Sequence, residues 1–445
     1  MNKQFFRQAW TMMKQQRLFT GIYIAGTAAS IAMAMTIFVI LYIKLGPLYP
    51  EENRDRLLIF TEVVVADDEG SGSIFNPRLK YIEQLKQESK LLKKVGVRET
   101  VPFVSDFSHL CEISSDNSNT TINELPAYVD CDYWQLFNFR FVQGRPFTKE
   151  EEHSPVAVIT ASLAEKLFAT TDVVGLRIYI DTDYYSIVGV VEDQRTCLTN
   201  TPTAGNIFVS IHHARYYDEE RKRLYGDVNE IKEYNAFNGD TYMYTIAETD
   251  EQSDSIKKEI AEIYSRILQQ NATTDKKIES RIYEYWQTAM DVRHDSNFFT
   301  AILEYLYLLL AFLLIPALNL CGLISTRMNS RLAEVGVRKA YGATNRQIIT
   351  QVLYENMLFT TIGAFVGFVL TYIIVYKNCD WIVTLFDNKI SNDTIAQGVT
   401  FEMLFNPTVI ASVLLLALLL NIASALVPTL LALKKDIIQS LYHRR

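Results

Sequence analysis

Four long apolar runs constrain this chain more than any other feature of its sequence. A helix needs about 20 mainly apolar residues to cross a hydrocarbon core about 30 Å thick. The runs place predicted membrane spans at residues 18–43, 298–325, 352–376 and 408–433. The first run is longer than the apolar region of a signal peptide, so we interpret it as a retained anchor. The sequence therefore predicts a polytopic α-helical membrane protein with four transmembrane helices.

The Lys and Arg residues of the short connections predict the orientation of the spans, because such residues accumulate on the cytoplasmic side. Thirteen lie before the first span, between the second and third spans, or in the tail at 434–445, whereas the loop at 377–407 has two. Both termini and residues 326–351 are therefore expected in the cytoplasm, with 44–297 and 377–407 outside. Residues 1–17 have an apolar and a basic face, which predicts an amphipathic helix at the inner headgroups; a plain basic anchor is the alternative.

The segment at 44–297 is acidic and has the pattern of a large mixed α+β extracytoplasmic domain between the first two spans. Its formal net charge is −15, which argues against nucleic-acid binding, since phosphate contacts need a basic surface. Runs of β-branched and apolar residues predict strands at 57–65, 156–160, 177–180, 184–191, 207–211 and 241–247. Helices are predicted at 76–94, 162–168 and 252–270. The charged stretch at 216–234 is expected to be a surface insertion.

The sequence contains none of the enzyme motifs that we sought. There is no GxxxxGK[ST] phosphate loop, no HExxH and no GxSxG. Without such motifs we predict no catalytic residues. None of the five cysteines has zinc-ligand spacing, so we predict no metal site. Cys111 and Cys131 either form a disulfide or remain two free thiols. His212 and His213 are adjacent in the sequence, which favours a surface pair over a metal site.

The connection between the second and third spans has the pattern of a helix, a tight turn and a second helix. Glu334 precedes Arg338 by four residues, which is the favourable order for an ion pair on one helical face. Gly342 suits the position just after a helix C-terminus. Thr344 and Gln347 then form a capping box for a second helix that continues into the third span. A loose basic loop that obeys the positive-inside rule is the alternative, but such a loop does not require these caps.

This connection resembles the signature of the FtsX/MacB-type permeases of ABC transporters. The matching positions are Arg331, Glu334, Val335, Gly336, Arg338, Lys339, Ala340, Gly342, Ala343, Ile348, Gln351, Leu353 and Glu355. Residues 428–441 resemble the closing segment of the same family, with Ile437 in place of its usual proline. The outer segment resembles the MacB-like periplasmic core domain of that family at Phe137, Phe139, Gly144, Arg145, Pro146 and Phe147, and again between 156 and 191.

The resemblance implies a permease subunit in the bacterial cytoplasmic (inner) membrane that works as a homodimer or heterodimer beside two separate P-loop ATPase subunits. It also implies mechanotransmission, in which the cytoplasmic helix carries ATP-driven motion to the outer domain. The motion would export or extract a peptide, a lipoprotein or a similar cargo, or control an envelope enzyme. ATP and Mg would bind the ATPase rather than this chain, and a periplasmic or outer-membrane partner could complete the path. The residues expected to couple to the ATPase are Arg331, Glu334, Val335, Gly336, Arg338, Lys339, Tyr341 and Gly342.

Two pairs of small residues have the spacing of helix-packing motifs. Gly26 and Ser30 lie in the first span, and Gly363 and Gly367 lie in the third. The resemblance places the first two spans at the dimer interface, so Gly363 and Gly367 are expected to pack within one subunit. Glu355 lies near the start of the third span and is either a functional intramembrane acid or a hydrated group near the interface.

Two other classes of protein remain as alternatives. A membrane-anchored receptor or sensor, whose outer domain binds a ligand, would need a signalling module in the cytoplasm, and the predicted cytoplasmic segments are too short for one. A secondary transporter usually has paired inverted repeats and broken helices. Four spans divided by one large outer domain do not match that pattern.

Overall fold

A computed structural model describes residues 17–66, 72–99, 111–115, 118–194, 201–213, 239, 241–271, 277–290, 332–377 and 407–433, with scattered positions between 299 and 326. Its contacts divide the chain into two compact units. The helical unit comprises Met1–Tyr42, Asn297–Phe386 and Gly398–Arg445, and the sheet unit comprises Ile43–Ser296 and Asp387–Gln397. Most of the predicted N-terminal helix, outer loop and C-terminal tail lies outside the described residues, as does the predicted insertion at 216–234.

The described helices belong to both units. In chain order they are α1 (Arg17–Leu45), α2 (Leu79–Glu88), α3 (Tyr133–Leu136), α4 (Ala161–Phe168), α5 (Asp250–Asn271), α6 (Tyr285–Ala289), α7 (Leu332–Ala340), α8 (Asn345–Lys377) and α9 (Pro407–Leu433). Among the described residues, Thr20–Leu45 and Asn345–Val375 are long and apolar enough to cross a membrane. α9 has no charged residue in its 27 positions. A helix suits such runs because it satisfies its backbone hydrogen bonds within one segment.

The core of the helical unit draws on all four apolar runs. One buried cluster contains Tyr23, Ile324, Phe359 and Ala425, and a second contains Ile31, Leu309, Ala364 and Val413. In each cluster the residues named here come from the first, second, third and fourth predicted spans, in that order. The rings of Tyr23 and Phe359 lie 5.3 Å apart. The predicted spans therefore pack on one another rather than forming separate anchors.

The described strands of the sheet unit form one sheet. They are β1 (Leu57–Ala66), β2 (Gly72–Phe75), β3 (Val95–Glu99), β4 (Cys111–Ser115), β5 (Ser118–Glu124), β6 (Ala127–Val129), β7 (Phe141–Gly144), β8 (Val156–Thr160), β9 (Arg177–Ile180), β10 (Asp183–Val191), β11 (Ile207–Ser210), β12 (Thr241–Ile246) and β13 (Lys277–Glu284). Their order is β13-β1-β12-β3-β6-β11-β8-β10-β9-β4-β5, with β2 paired to β1 and β7 paired to β10. Among these pairings, β8 with β10 and β6 with β11 are parallel.

Both faces of the sheet are buried, because successive side chains of a strand point to opposite faces. In β1, Leu58 and Phe60 face a core that is covered by α2, α4 and α5. Leu57 and Ile59 face a second, aromatic core that includes α3 and α6. The predicted mixture of strands and helices in one outer segment thus takes the form of a single sheet with a core on each side.

The predicted helix at 76–94 is wrong at both ends. α2 begins at Leu79, because Pro77 instead accepts a hydrogen bond from the backbone of Thr241 (3.2 Å). α2 ends at Glu88, where the carboxylate of Glu259 on α5 accepts hydrogen bonds from Ser89 and from the next two backbone N–H groups at 2.6–3.1 Å. These long-range contacts hold both flanking segments in extended form.

Candidate coupling site

α7 has one buried side and one exposed side. Val335 packs against the buried cluster of Tyr23 and Phe359, and Gly336 is buried. On the opposite side Val337 is 47% exposed. Tyr341 follows the last residue of α7, donates its backbone N–H to the Val337 carbonyl (3.1 Å) and is 89% exposed. Residues at i and i+4 lie on the same helical face. α7 therefore presents an apolar and aromatic edge to solvent, in a helix whose other face is fixed.

The turn after α7 is held by backbone and side-chain caps. Gly342 adopts a positive φ of 89°, which a residue with a Cβ rarely takes. Its N–H donates to the carbonyl of Lys339 (2.9 Å) and the N–H of Ala343 donates to that of Arg338 (3.0 Å), as in a Schellman motif. These bonds satisfy carbonyls that the end of α7 leaves without helical partners.

The predicted capping box opens α8. The backbone N–H of Thr344 donates to the side chain of Gln347 (3.0 Å), and the N–H of Gln347 donates to the Thr344 hydroxyl (3.3 Å). The two bonds are reciprocal, so they fix the direction in which α8 leaves the turn. Hydrogen bonds between residues three to five positions apart therefore hold the turn from the end of α7 to the start of α8.

A chain of polar side chains joins α7 to the interior of α8. Arg338 Nη2 lies 2.5 Å from Glu334 Oε1, which is the predicted ion pair. The other arm of the Arg338 guanidinium donates to Gln351, and Gln351 Nε2 donates to Glu355 Oε1 (3.1 Å). Glu355 is only 2% exposed. The chain thus runs from the surface of α7 to a buried carboxyl group, which opposes sliding of α7 along α8.

The small residues of α8 face α1 of the same chain. A Cβ on Gly367 would lie 2.7 Å from the carbonyl oxygen of Ala28, and one on Gly363 would lie 2.8 Å from Thr27 Cβ. Thr371 Oγ1 also donates to the carbonyl of Ala32 (3.3 Å). Close backbone approach of this kind requires glycine. The two helices are therefore in direct contact along the line that Gly363 and Gly367 define.

The other predicted small pair is arranged differently. Ser30 Oγ donates to the Gly26 carbonyl (2.8 Å) within α1, and no atom of the described residues lies within 4 Å of a Cβ built on Gly26.

Of the predicted coupling residues, Lys339 is half-buried and Arg331 lies outside the described residues. The exposure of Val337 was not predicted, because its burial depends on which side of α7 meets α8.

The described part of the chain has no group of three or more metal-ligating side chains placed to hold an ion. Cys111 and Cys131 are free thiols, and burial raises the pKa of Cys111 to about 12, so it is unreactive at neutral pH. His212 lies between Glu83 and Glu152 at 3.7 and 3.9 Å. The motif around Phe137–Phe147 has a structural role: both rings are buried in the aromatic core.

Two family models match the chain. The MacB-like periplasmic core domain matches residues 20–263, and the FtsX-like permease C-terminal domain matches residues 306–437. The first match alone covers more than half of the chain. Together the two matches leave residues 1–19, 264–305 and 438–445 unassigned.

Curated relatives include both separate permeases and larger proteins. The uncharacterized ABC transporter permease YknZ of Bacillus subtilis (strain 168) is 22% identical over 314 residues, which cover 69% of this chain and 70% of YknZ. The pyoverdine export ATP-binding/permease protein PvdT of Pseudomonas savastanoi pv. phaseolicola (strain 1448A / Race 6) is 27% identical over 54% of this chain. The macrolide export ATP-binding/permease protein MacB of Nitrobacter winogradskyi is 24% identical over 57% of this chain. The matches span 34% and 36% of those two proteins, about a third of their length.

Solved structures that match include the periplasmic region of MacB from Actinobacillus actinomycetemcomitans. It is 12% identical with a TM-score of 0.36, and the match covers 54% of this chain and 94% of that one. The extracellular domain of YknZ from Gram-positive bacteria has a TM-score of 0.32 at 17% identity, over 50% of this chain and 99% of that one. The two family models decide the assignment: this chain belongs to the FtsX/MacB-type family of ABC transporter permeases, with a MacB-like periplasmic core domain and membrane helices.

Proposed function

We propose that this protein is a permease subunit that transmits ATP-driven motion from a separate P-loop ATPase to its periplasmic core domain. The exposed edge of Val337 and Tyr341 carries the proposal. An aromatic side chain that is 89% exposed contributes nothing to the stability of this chain through burial, whereas aromatic anchors dominate protein interfaces. The edge lies on a helix that is fixed to α8 through Arg338 and Gln351, so a force on α7 would move α8 as well.

The proposal includes a path from α7 towards the sheet unit. α8 would pass its displacement to α1 through the close contact at Gly363 and Gly367. α1 is one continuous helix whose last residues belong to the sheet unit. Helices with well-packed contacts move as rigid elements, which is what mechanotransmission requires.

We further propose four membrane spans, with both termini and α7 in the cytoplasm and the sheet unit outside, in the bacterial inner membrane. Two buried clusters, each with residues from all four apolar runs, support four packed spans. The distribution of Lys and Arg supports the orientation.

ATP and Mg would bind the partner ATPase, because the 445 residues contain no phosphate-loop motif. PvdT and MacB are named for export of pyoverdine and of macrolides. Export or extraction of a peptide, a lipoprotein or a similar cargo by a dimer of permeases fits this chain, as does control of an envelope enzyme. A membrane-anchored receptor is the alternative, and co-purification of an ATPase would distinguish a transporter from it.

The test is to purify the full-length protein from its native membranes in mild detergent and to identify what accompanies it. We expect a stoichiometric P-loop ATPase, and we expect Tyr341→Ala to reduce its recovery about tenfold or more, the loss typical of an interface anchor. Tyr184→Ala is the matched control, because Tyr184 is also exposed (49%) but lies in the sheet unit. Recovery of no ATPase, or equal recovery with both variants, would contradict the proposal and favour the receptor.

A second variant examines coupling rather than binding. The double substitution Glu334→Lys, Arg338→Glu preserves opposite charges but removes the guanidinium that reaches Gln351. We expect it to lower ATP-dependent activity of the complex while the sheet unit keeps its fold, which circular dichroism and limited proteolysis would report. Full ATP-dependent activity in this variant would refute the coupling role of α7.

A further inference from the structure

A buried ion pair lies just beyond the end of α1. Arg54 Nε donates to Glu51 Oε2 at 2.8 Å, and each side chain is only 1% exposed. Burial removes both groups from water, and the attraction between them offsets that loss only when the remaining donors and acceptors also find partners. The other hydrogen-bond partners of Arg54 and Glu51 therefore identify the segments that the ion pair connects.

Arg54 caps the C-terminus of α1. Its Nη1 donates to the carbonyl oxygens of Ile43 (2.9 Å) and Gly46 (3.0 Å). The last carbonyls of a helix have no helical partner, and a cation there also complements the helix dipole. The guanidinium carbon lies 5.0 Å from the centre of the Tyr285 ring on α6, a cation–π distance. One side chain thus connects the end of α1 to α6.

Glu51 connects the same end of α1 to the segment that precedes β11. Its Oε1 accepts two hydrogen bonds from Thr203, one from the backbone N–H (2.9 Å) and one from the hydroxyl (2.6 Å). Thr203 is fully buried. The adjacent Pro202 carbonyl accepts hydrogen bonds from Tyr133 Oη (3.1 Å) and Arg98 Nη1 (2.7 Å), and these two residues belong to α3 and β3.

A connection between a helix and a strand is ordinarily one of the more mobile parts of a protein. Here Leu48, Tyr49 and Glu51 are buried, and Lys44 Nζ also reaches the carbonyl of Ala289 at the end of α6 (3.3 Å). All of these atoms lie within the sheet unit, which begins at Ile43. The connection from α1 to β1 therefore has the contacts of a core rather than those of a linker.

We infer that Glu51, Arg54, Thr203 and Tyr285, the neck cluster, form a rigid joint that makes the end of α1 and the sheet move as one body. Arg54 is the positioning residue of this joint. The role of the joint in transmission rests on the proposed function, since the motion would begin at the ATPase. Its rigidity is a separate property of this chain and needs no partner to measure.

The test uses the full-length protein in lipid nanodiscs without any ATPase. Spin labels are attached through genetically encoded keto side chains at Pro47, two residues beyond α1, and at Val174, which are both exposed residues of the sheet unit, and the native cysteines stay in place. The labelled protein is diluted with unlabelled protein, so that distances within one chain are measured. We expect one narrow distribution of distances between the labels. Arg54→Met should broaden it, because the methionine keeps an apolar stem but cannot cap α1 or pair with Glu51.

Arg56→Met is the matched control. Arg56 lies on the same turn, but its side chain is 45% exposed and binds Asn53 Oδ1 at the surface (2.7 Å). It should leave the distribution unchanged. Hydrogen exchange of the same samples should become at least about tenfold faster at residues 43–53 and at Thr203 in Arg54→Met only, as expected when a buried pair is broken. Exchange in β8 and β10 should stay slow and report that the sheet is folded.

A milder substitution covers the case in which Arg54→Met does not fold. Thr203→Val removes one hydrogen bond to Glu51 and keeps the shape of the side chain, and it too should broaden the distribution. A broad distribution in the unmodified protein, or one that neither neck variant changes, would overturn the rigid joint. A narrow distribution without a co-purifying ATPase would support the joint and count against the proposed function alone.

Discussion

Arg145 shows how a motif residue of the outer domain contributes to stability. Its guanidinium forms two hydrogen bonds with Glu151, both 2.7 Å long, and Glu151 also accepts the backbone N–H of Thr148 (3.0 Å). A two-armed pair of this kind is stronger than a single charged contact. The bonds from Arg145 lower the pKa of Glu151 to about 2. The pair thus fixes the turn between β7 and β8.

We expect Glu151→Gln to lower the free energy of unfolding by about 1 kcal/mol at pH 7, the upper range for a partly exposed pair. Because the pKa of Glu151 is depressed in the folded protein, the stabilisation is complete above the unfolded value of 4.5 and is lost as pH falls towards 2. Urea unfolding in detergent at pH 7 and pH 2.5 would measure this difference. Glu165→Gln on the exposed side of α4 is the control, and an equal effect of Glu151→Gln at both pH values would contradict the assignment.

Gly342 is the second position where one residue decides the local structure. An alanine there would have to adopt the left-handed φ of 89° at a cost of about 1 kcal/mol. We expect Gly342→Ala to speed hydrogen exchange of the Ala343 amide about fivefold, because that amide is bonded to Arg338 across the turn. Ala343→Gly is the control, because it exchanges the same two residue types at the neighbouring position and leaves Gly342 in place. Unchanged exchange in Gly342→Ala would show that the turn tolerates a Cβ.

At the scale of elements, the contact between α8 and α1 would carry the motion of α7 to α1, because α8 packs on α1 at Gly363 and Gly367. Gly367→Ala would place a methyl group 2.7 Å from the Ala28 carbonyl, so the helices must separate. We expect Gly367→Ala to lower the free energy of unfolding by about 1–3 kcal/mol, the usual cost of overpacking. Thermal unfolding of the detergent-solubilised protein would measure the loss.

Gly21→Ala on α1 is the matched control for that substitution. Gly21 is exposed, and no described atom lies within 4 Å of its Cβ position, so alanine should be neutral or slightly stabilising through its helix propensity. If both variants had the same unfolding temperature, the α1–α8 contact would not contribute as we describe.

At the scale of the whole molecule, the proposed orientation places α7 and β1 on opposite sides of the membrane. We expect alkaline phosphatase fused after residue 66 to be active and green fluorescent protein fused there to be dark, because each reporter works on one side only. Fusions after residue 343 should give the reverse result. Reporter activity on the same side at both sites would contradict the orientation, and it would also leave the Lys and Arg distribution unexplained.

The features that the sequence predicted well depend on residues close together in the chain. The ion pair of Glu334 with Arg338, the turn at Gly342 and the capping box at Thr344 each involve separations of three to five residues. The apolar runs are also local, since every residue of a membrane helix satisfies its backbone within its own segment. Membership of the family followed from these local patterns, and the number of spans stays a prediction.

Only the tertiary structure decided the features that join distant parts of the chain. The end of α2 depends on Glu259, about 170 residues away, and the neck cluster brings Thr203 to Glu51 across 152 residues. The strands β3, β4 and β6 were not predicted from the sequence, and in the sheet they pair with strands that are distant in the chain: β3 with β12, β4 with β9 and β6 with β11. The sequence by itself thus determined the long apolar helices, the caps around Gly342 and the family, because those interactions are local. Which side of α7 is exposed, and what secures the end of α1, had to wait for the folded chain, because burial and long-range pairing have no local signature.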